Sequence, residues 1–304
     1  MRRQCAFIPT HPMLKGALHC HTTRSDGKLT PQKTFIAYQK SGFDFLALTD
    51  HRIYNYKNFA PETGLTLIPG VEIDKDLTVE GVHCFHSVWL GPTKEEGNGF
   101  DHDQTFPKEI ISGQEEFQAY LDEAHEKKNI TIYAHPEWSM TTAREFEKLE
   151  GNIAMEVWNT GCVLDYGCDY DAPYWDELLC QGIRINGVAT DDGHAIEHVG
   201  KGWVMVNAEN SVNDILRALK EGAFYSSCGP VIHDFYVEDG IAHVECSPCA
   251  AIRFVMDKVS SRRTYGENLT RWKWALPEFC TYVRACVTDE QGRQAWTNPI
   301  WLED

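Results

Sequence analysis

The sequence lacks any long hydrophobic run, and its first residues, MRRQCAFIPTHP, lack the apolar core of a signal peptide. We therefore expect a cytoplasmic protein with no membrane contact. The 11 cysteines are an odd number, which favours reduced thiols over a disulfide framework. Cys246 and Cys249 form a CxxC pair, but no second pair follows at zinc-site spacing, so the pair is only weak evidence for a structural metal.

Positive charge is scarce. Lysine and arginine number 28 against 45 aspartates and glutamates, which gives a net charge of −17 across 304 residues. No run of Lys or Arg forms a basic patch, so long nucleic acids are not expected as partners. Bound divalent cations would offset part of the negative charge. Hydrophobic residues make up 42% of the chain, enough for a large core.

Short apolar runs alternate with amphipathic segments, a pattern typical of α/β proteins. Candidate strands lie at 14–21, 44–50, 65–73, 81–90, 130–135, 153–158, 184–190 and 202–206. Candidate helices begin after Thr30, with Pro31 at the first helical position, and cover 114–128, 173–181 and the segment from Ser211 to about Gly222. The polar segment 93–110 is predicted to be a long loop.

After about residue 224 the helical patterns stop. The sequence there indicates short strands, an Asp-Gly turn at 239–240 and a closing hairpin. We therefore predict an α/β domain over residues 1–228 and a small, sandwich-like all-β domain over residues 229–304.

Metal-binding residue types follow one candidate strand after another. His19 and His21 close the first strand, and their i, i+2 spacing places both imidazoles on one face. The other such residues at strand ends are Asp26, Asp50, His51, Glu72, His83, His135, Asp191, Asp192 and His194. A lone histidine is more often structural than a ligand. Six strand ends that carry such residues predict a shared metal centre, because the carboxyl ends of parallel strands meet at one face.

These motifs resemble those of the PHP (polymerase and histidinol phosphatase) family of metal-dependent phosphoesterases. The matching segments are His19-x-His21 with Ser25-Asp26-Gly27, Thr49-Asp50-His51, Gly70-Val71-Glu72, His83, Ala134-His135-Pro136 and Asp192-Gly193-His194. The resemblance covers about residues 14–206 and implies a distorted (β/α)7 barrel with two or three divalent ions, either Zn, Mn or Fe. The segments HPEWS, EVWN, ATDDGH and FYSSCGP are similar to a branch that includes CehA-type carbamate-pesticide hydrolases.

The resemblance also implies a ligand scheme. One ion would be held by His19, His21, Glu72 and Asp192, a second by Glu72, His83 and His135, and a third by Asp26, His51 and His194. His86 competes with His83, because their odd spacing places them on opposite strand faces, and motif position favours His83. Asp191 competes with Asp192, and the Asp-x-His motif favours Asp192.

The expected reaction is attack of a metal-activated hydroxide on phosphorus. The leaving group would receive its proton from water on the third ion, from an imidazole or from a carboxylic acid such as Asp191, and His194 also belongs to the catalytic set. Arg24 either clamps a phosphate or is a solvated loop residue. Trp138, Trp158 and Trp175 either stack on a base or sugar or, as is more common, pack internally.

The favoured substrate is a small phosphorylated metabolite or nucleotide. The same centre would also suit a carbamate, ester or amide, since a bridging hydroxide attacks a carbonyl as readily as phosphorus. Two further hypotheses are a short-oligonucleotide exonuclease and a non-enzymatic, metal-stabilised barrel whose β domain binds a partner. The sequence leaves open the metal, the oligomeric state and the role of the C-terminal domain.

Overall fold

A computed structural model describes residues 3–7, 11–78, 83–169, 171–257 and 261–302. The protein is mixed α/β and rich in strands. The strands are β1 (Gln4–Cys5), β2 (Met13–Ala17), β3 (Phe45–Ala47), β4 (Thr66–Ile68), β5 (Gly70–Asp76), β6 (Cys84–Leu90), β7 (Ile130–Tyr133), β8 (Asn152–Asn159), β9 (Asn186–Thr190), β10 (Trp203–Asn207), β11 (Phe224–Ser227), β12 (Ile232–Glu238), β13 (Ile241–Met256), β14 (Ser261–Ala275), β15 (Tyr282–Thr288), β16 (Gln294–Thr297) and β17 (Ile300–Trp301). The helices are α1 (Pro31–Lys40), α2 (Gln114–Glu126), α3 (Ala143–Phe146), α4 (Thr160–Tyr166), α5 (Asp171–Cys180) and α6 (Val212–Glu221). Residues 81 and 82, at the start of the predicted strand 81–90, lie outside the described residues.

Helix ends follow local chemistry where the sequence predicted them. Thr30 caps α1 by accepting a hydrogen bond from the Lys33 amide, and Pro31 occupies the first turn. Ser211 caps α6, and Gly222 ends that helix in the left-handed region, which glycine adopts without steric penalty. No helix in the described ranges is both long and apolar enough to cross a bilayer.

The strands form two sheets. Five strands pair in the order β5-β6-β7-β8-β9, and twelve belong to a larger sheet in which β2, β3 and β4 are parallel neighbours. Two isolated parallel bridges connect the sheets near the carboxyl ends of these strands. One joins Cys20 to Gly193, and the other joins His51 to Glu72. These bridges bring the predicted metal-binding segments of both sheets together.

The regular strand–helix alternation of a (β/α)7 barrel is not confirmed. A 3-10 turn at Pro61–Thr63 stands between β3 and β4. Strand β5 pairs antiparallel with β6, and β6 pairs antiparallel with β7, so neither connection requires the crossover helix that joins parallel strands. The parallel pairings of the smaller sheet are β7 with β8 and β8 with β9, and β6 is its one reversed strand.

The C-terminal strands continue the larger sheet. The predicted turn at Asp239 and Gly240 connects β12 to β13, with both residues at positive φ, and β15 and β16 pair as predicted. Strand β16 also pairs with β11, where Tyr225 lies opposite Thr297. The domain boundary after residue 228 stays a prediction, and backbone hydrogen bonding continues across it.

The Cys246 and Cys249 sulfurs lie 3.7 Å apart and are not bonded to each other. Neither belongs to a group of metal-binding side chains in the described part of the chain.

A buried ion pair also joins the two halves of the chain. The Arg284 side chain on β15 is 3% exposed, and its guanidinium donates to Asp176 on α5 at 2.5 and 3.1 Å. Its Cζ atom lies 4.4 Å from the ring centre of Trp175. Because the guanidinium is buried, removal of its carboxylate leaves an uncompensated charge.

We expect Asp176→Ala to lower the free energy of unfolding by about 3 kcal/mol, measured by urea denaturation. The matched control is Asp101→Ala, which breaks the exposed pair with Lys94 and should leave the free energy of unfolding close to that of the parent. Equal effects of the two substitutions would contradict the assignment of Arg284 as a buried charge that depends on Asp176.

Candidate metal centre

Segments just beyond the carboxyl ends of parallel strands supply most of the predicted site residues. His19, His21 and Asp26 follow β2, His51 follows β3, His135 follows β7, and Asp192 and His194 follow β9, while Glu72 lies within β5. The structure brings all of these side chains together in one centre.

The first group surrounds one Glu72 oxygen. Glu72 Oε2 lies 3.2 Å from His19 Nε2 and 3.1 Å from His21 Nε2. Asp192 Oδ1 lies 3.3 Å and 3.0 Å from the same two nitrogens. The i, i+2 pair therefore points both imidazoles at one place, as the spacing predicted.

The other Glu72 oxygen faces a second pair of histidines. Glu72 Oε1 lies 2.9 Å from His86 Nδ1 and 3.2 Å from His135 Nε2. The carboxylate thus lies between two sets of imidazoles, which is the arrangement that a bridging ligand requires.

A third group lies nearer to solvent. Asp26 is within 3.4 to 3.6 Å of ring nitrogens of His21, His51 and His194. His51 Nδ1 also lies 3.1 Å from Glu72 Oε2 and 3.2 Å from Asp74 Oδ1. Asp74 was not predicted from the sequence. It lies two residues after Glu72 on β5, so strand alternation places it on the same face.

Several buried polar atoms at this centre make no hydrogen bond within the described structure. They are His51 Nδ1, Glu72 Oε2, Asp74 Oδ1 and Asp192 Oδ1. Burial alone would raise the pKa of Glu72, but His19, His51 and His86 hold that pKa well below its usual range, so the carboxylate is ionised. Carboxylate oxygens and imidazole nitrogens that lie 3.0 to 3.3 Å apart in a buried space, without a hydrogen bond at these atoms, fit divalent transition-metal ions.

A second layer of hydrogen bonds orients the imidazoles. Glu156 on β8 accepts from His19 Nδ1 at 2.7 Å, from Thr190 Oγ1 at 2.6 Å and from the His135 amide at 3.0 Å. His135 Nδ1 is hydrogen-bonded to Ser139 Oγ at 3.1 Å. Glu156 was not predicted from the sequence, although it lies in the EVWN segment near the carboxyl end of a predicted strand.

Strained backbone and buried carboxylates fix the loops that carry the site. His135 and Asp192 have φ values of 25° and 45°, a region that non-glycine residues rarely adopt. Asp50 accepts from the amide and hydroxyl of Thr22. Asp191 accepts from the amides of residues 200–202 at 2.6 to 2.8 Å, and burial raises its pKa to about 6.

The structure places His86, rather than His83, beside Glu72. His86 lies within β6 and faces Glu72, whereas His83 precedes that strand and pairs with Glu145 at 2.7 Å. Because His83 lies outside the strand, the predicted alternation does not apply to it, and the inward position belongs to His86. Motif position could not reveal where the strand begins.

The centre opens into a cavity of about 190 Å³. Its wall includes Lys28, Trp138, Tyr166 and His198 as well as the metal-binding side chains. Asp191 is not among the wall residues. The pocket is large enough for a small group rather than for a whole metabolite, whose remainder would lie outside against the rim.

Arg24 and two of the tryptophans lie elsewhere. Arg24 donates to Asn55 at 2.9 Å and pairs with Asp103, so its guanidinium holds loops together. Trp175 is fully buried in the core. Trp158 donates to Thr160 and is packed against the core, so only Trp138 reaches the pocket.

Comparisons with known proteins agree with the family resemblance that the sequence motifs predicted. The family model described as PHP-associated matches residues 180–224. A 5′-3′ exoribonuclease of Haemophilus influenzae is 35% identical over 95 residues, which are 30% of this chain and 30% of that protein. The chain therefore matches less than a third of the length of this curated relative.

One solved structure extends the likeness to the overall fold. A two-domain protein from Bacteroides vulgatus, which contains a predicted PHP-like metal-dependent phosphoesterase, has a TM-score of 0.53 at 14% identity and covers 99% of this chain and 98% of its own. A candidate metal-dependent phosphoesterase from Bifidobacterium adolescentis has a TM-score of 0.46 at 16% identity over 69% of this chain and 97% of its own. The PHP resemblance predicted from the sequence is thereby confirmed: this chain carries a PHP-associated segment and shares its overall fold with a two-domain PHP-like protein.

Proposed function

We propose that this chain is a metal-dependent hydrolase that cleaves phosphate esters of small molecules. The observation that carries the proposal is the convergence of Glu72, Asp192, His51 and Asp74 atoms that approach charged neighbours without making a hydrogen bond, beside an open pocket. Within this proposal, the bridges between the two sheets represent the closure of a distorted PHP-type barrel.

Three overlapping groups would hold divalent ions, with Zn, Mn and Fe all compatible with the donors. They are His19, His21, Glu72 and Asp192; then Glu72, His86 and His135; then Asp26, His51 and His194. When bound, such ions lower the pKa of a nucleophilic water and neutralise charge on the phosphate oxygens. His86 takes the place in this scheme that motif position assigned to His83.

The chain's own residues prepare the imidazoles for that task. Glu156 offers an acceptor oxygen to His19, so the hydrogen bond at 2.7 Å places the proton on Nδ1 and leaves Nε2 free to bind. Ser139 holds the His135 ring through its own Nδ1 atom. These bonds fix ring orientation before a ligand arrives.

The catalytic assignment of Asp191 changes with the geometry. Asp191 has both oxygens occupied by amides outside the pocket, so we assign it the positioning of the segment that carries Asp192 and His194. His198 lines the pocket, and its Nε2 faces Asp165 Oδ1 at 3.4 Å. Its Nδ1 accepts from the His194 amide at 3.2 Å, so the ring carries its proton on Nε2.

Lys28 replaces Arg24 as the phosphate-binding cation. It is exposed at the pocket wall, and its side chain has no carboxylate within 4.0 Å in the ranges that the structure describes. An ammonium group there attracts an anionic substrate and contributes nothing specific to a neutral carbamate. Lys28 therefore favours the phosphoester over carbonyl substrates.

A short oligonucleotide is the second candidate substrate. The similarity to the Haemophilus influenzae exoribonuclease supports it, and so does the rim, where Tyr166 is 67% exposed and lies 6.0 Å from Trp138 between ring centres. Aromatic rims accept bases of any sequence.

The first test is phosphate release from a panel of phosphomonoesters and nucleotides, using protein stripped of metal and reloaded with Mn or Zn. We expect metal-dependent turnover that Asp192→Asn lowers by about 100-fold or more, because Asp192 contacts both histidines of the first group. Asp122→Asn on the outer face of α2 is the matched control and should retain full activity. If no compound in the panel releases phosphate although the protein has bound metal, the phosphoester assignment is overturned in favour of carbonyl hydrolysis.

The assignment of His86 is tested by metal content. His86→Ala should weaken metal retention by about 10- to 100-fold, measured by elemental analysis after dialysis against graded chelator. His83→Ala removes an imidazole outside the centre and should leave retention unchanged. The reverse result would restore His83 as the ligand.

The role of Lys28 is tested by steady-state kinetics. Lys28→Met should raise KM for a phosphomonoester about tenfold with little change in kcat, because a cation at the pocket wall binds substrate and transition state alike. Lys33→Met, an exposed lysine on α1, is the control. An unchanged KM in the Lys28 variant would show that another group binds the phosphate.

A further inference from the structure

A basic surface lies on strands β13 and β14, outside the candidate metal centre. The two strands pair antiparallel, which places Arg253 opposite Arg263, Glu245 opposite Arg271 and His243 opposite Lys273. We call Arg253, Arg263, Arg271 and Lys273 the basic ribbon. Residues far apart in sequence become neighbours here, which explains why no run of Lys or Arg revealed the surface.

All four ribbon side chains point to the same exposed face. On β13, Val244, Ile252 and Phe254 are buried, so the alternating positions His243, Glu245 and Arg253 face outward. Cross-strand partners share a face, which places the ribbon residues of β14 on that side as well. The face spans roughly 30 Å from Arg263 to Lys273 at strand rise.

The ribbon cations form no close ion pair, although Glu245 lies directly across the strand pair from Arg271. None of the four has a carboxylate within 4.0 Å among residues the structure describes, whereas Arg217, Arg284 and Arg293 each form such a pair. Like charges directly opposite each other, as in Arg253 and Arg263, destabilise a strand pair unless an anion lies between them. A surface of this kind is unusual on a chain with net charge −17.

Aromatic rings accompany the cations. Tyr265 is 65% exposed, and the Arg263 guanidinium lies 5.4 Å from its ring centre. Tyr236 and His243 stack at 4.6 Å with an interplanar angle of 5°. His243 and Lys273 also line a cavity of about 530 Å³ on this face.

We propose that the basic ribbon binds single-stranded nucleic acid. Regularly spaced phosphates match a row of cations without ion-pair partners, and the exposed ring of Tyr265 beside them accepts a base without sequence preference, whereas the Tyr236 ring is already covered by Arg3 and His243. An acidic peptide would supply the charge but not the planar groups that the aromatic rings accept. The inference is independent of the proposed function, because it uses no residue of the metal centre.

The test is fluorescence anisotropy with a labelled single strand of about 15 nucleotides, within the range that single-strand binding folds cover. The strand carries 2′-O-methyl riboses to resist cleavage. The triple variant Arg263→Ser, Arg271→Ser, Lys273→Ser is compared with Lys148→Ser, Arg217→Ser, Lys220→Ser, which removes equal charge from exposed positions elsewhere. Between 50 and 200 mM salt, the affinity of the parent should fall by a factor about 20 times larger than the factor for the ribbon variant. The reason is that the variant has lost three phosphate contacts and therefore depends less on salt.

The ribbon variant should also bind at least about tenfold more weakly at low salt, with the control unchanged. Absence of binding by the parent, or equal binding by both variants, would overturn the proposal. If the parent binds vesicles with anionic lipid but not the strand, the surface is assigned to a membrane instead. If the parent forms a concentration-dependent dimer in sedimentation that the ribbon variant abolishes, the surface is assigned to a second copy of the chain. Turnover of a small phosphoester by the ribbon variant reports separately on the metal centre.

Discussion

The Glu72 carboxylate is the constraint on which the rest of the site depends. It is 1% exposed, and its two oxygens face imidazoles from four different segments of the chain. A buried carboxylate without compensation would be strongly destabilising. The surrounding histidines compensate for it only if the loops that carry them return to the same point, so this one residue ties the loop conformations to the charge balance of the core.

Other buried carboxylates hold those loops from behind. Asp50, Asp191 and Glu156 each accept several hydrogen bonds from the amides or hydroxyls of neighbouring segments. These hydrogen bonds hold the loops in one conformation. His135 and Asp192 can therefore keep backbone conformations that are unfavourable in isolation. The order is therefore hierarchical: carboxylates fix loops, loops fix imidazoles, and the imidazoles define the space for ions.

The sequence predicted the parts of this arrangement that depend on local spacing. The facing of His19 and His21 was predicted from their i, i+2 spacing, although both lie just beyond β2, and the caps of α1 and α6 follow from Thr30 and Ser211. Motif position favoured His83 over His86, and periodicity within an apolar run could not show that the strand begins only after His83.

The sequence did not predict which strands pair with each other across long distances in the chain. The antiparallel arrangement of β5 and β6, the contact of Glu156 with His19 across 137 positions and the cross-strand assembly of the basic ribbon all depend on which strands become neighbours. The motifs did supply most of the candidate metal-binding residues, because most of them follow a strand end whatever its neighbours are, whereas Glu72 lies within β5.

The pairing of β11 with β16 has a consequence for how the molecule opens. Strand β11 also pairs with β10, and β10 pairs with β2, whose carboxyl end leads to the histidine pair. Amide protons along this row are protected by a shared ladder, so they should exchange with solvent in one cooperative unit rather than in two. Strand β16, near the end of the chain, thereby stabilises the strands that lead to His19 and His21.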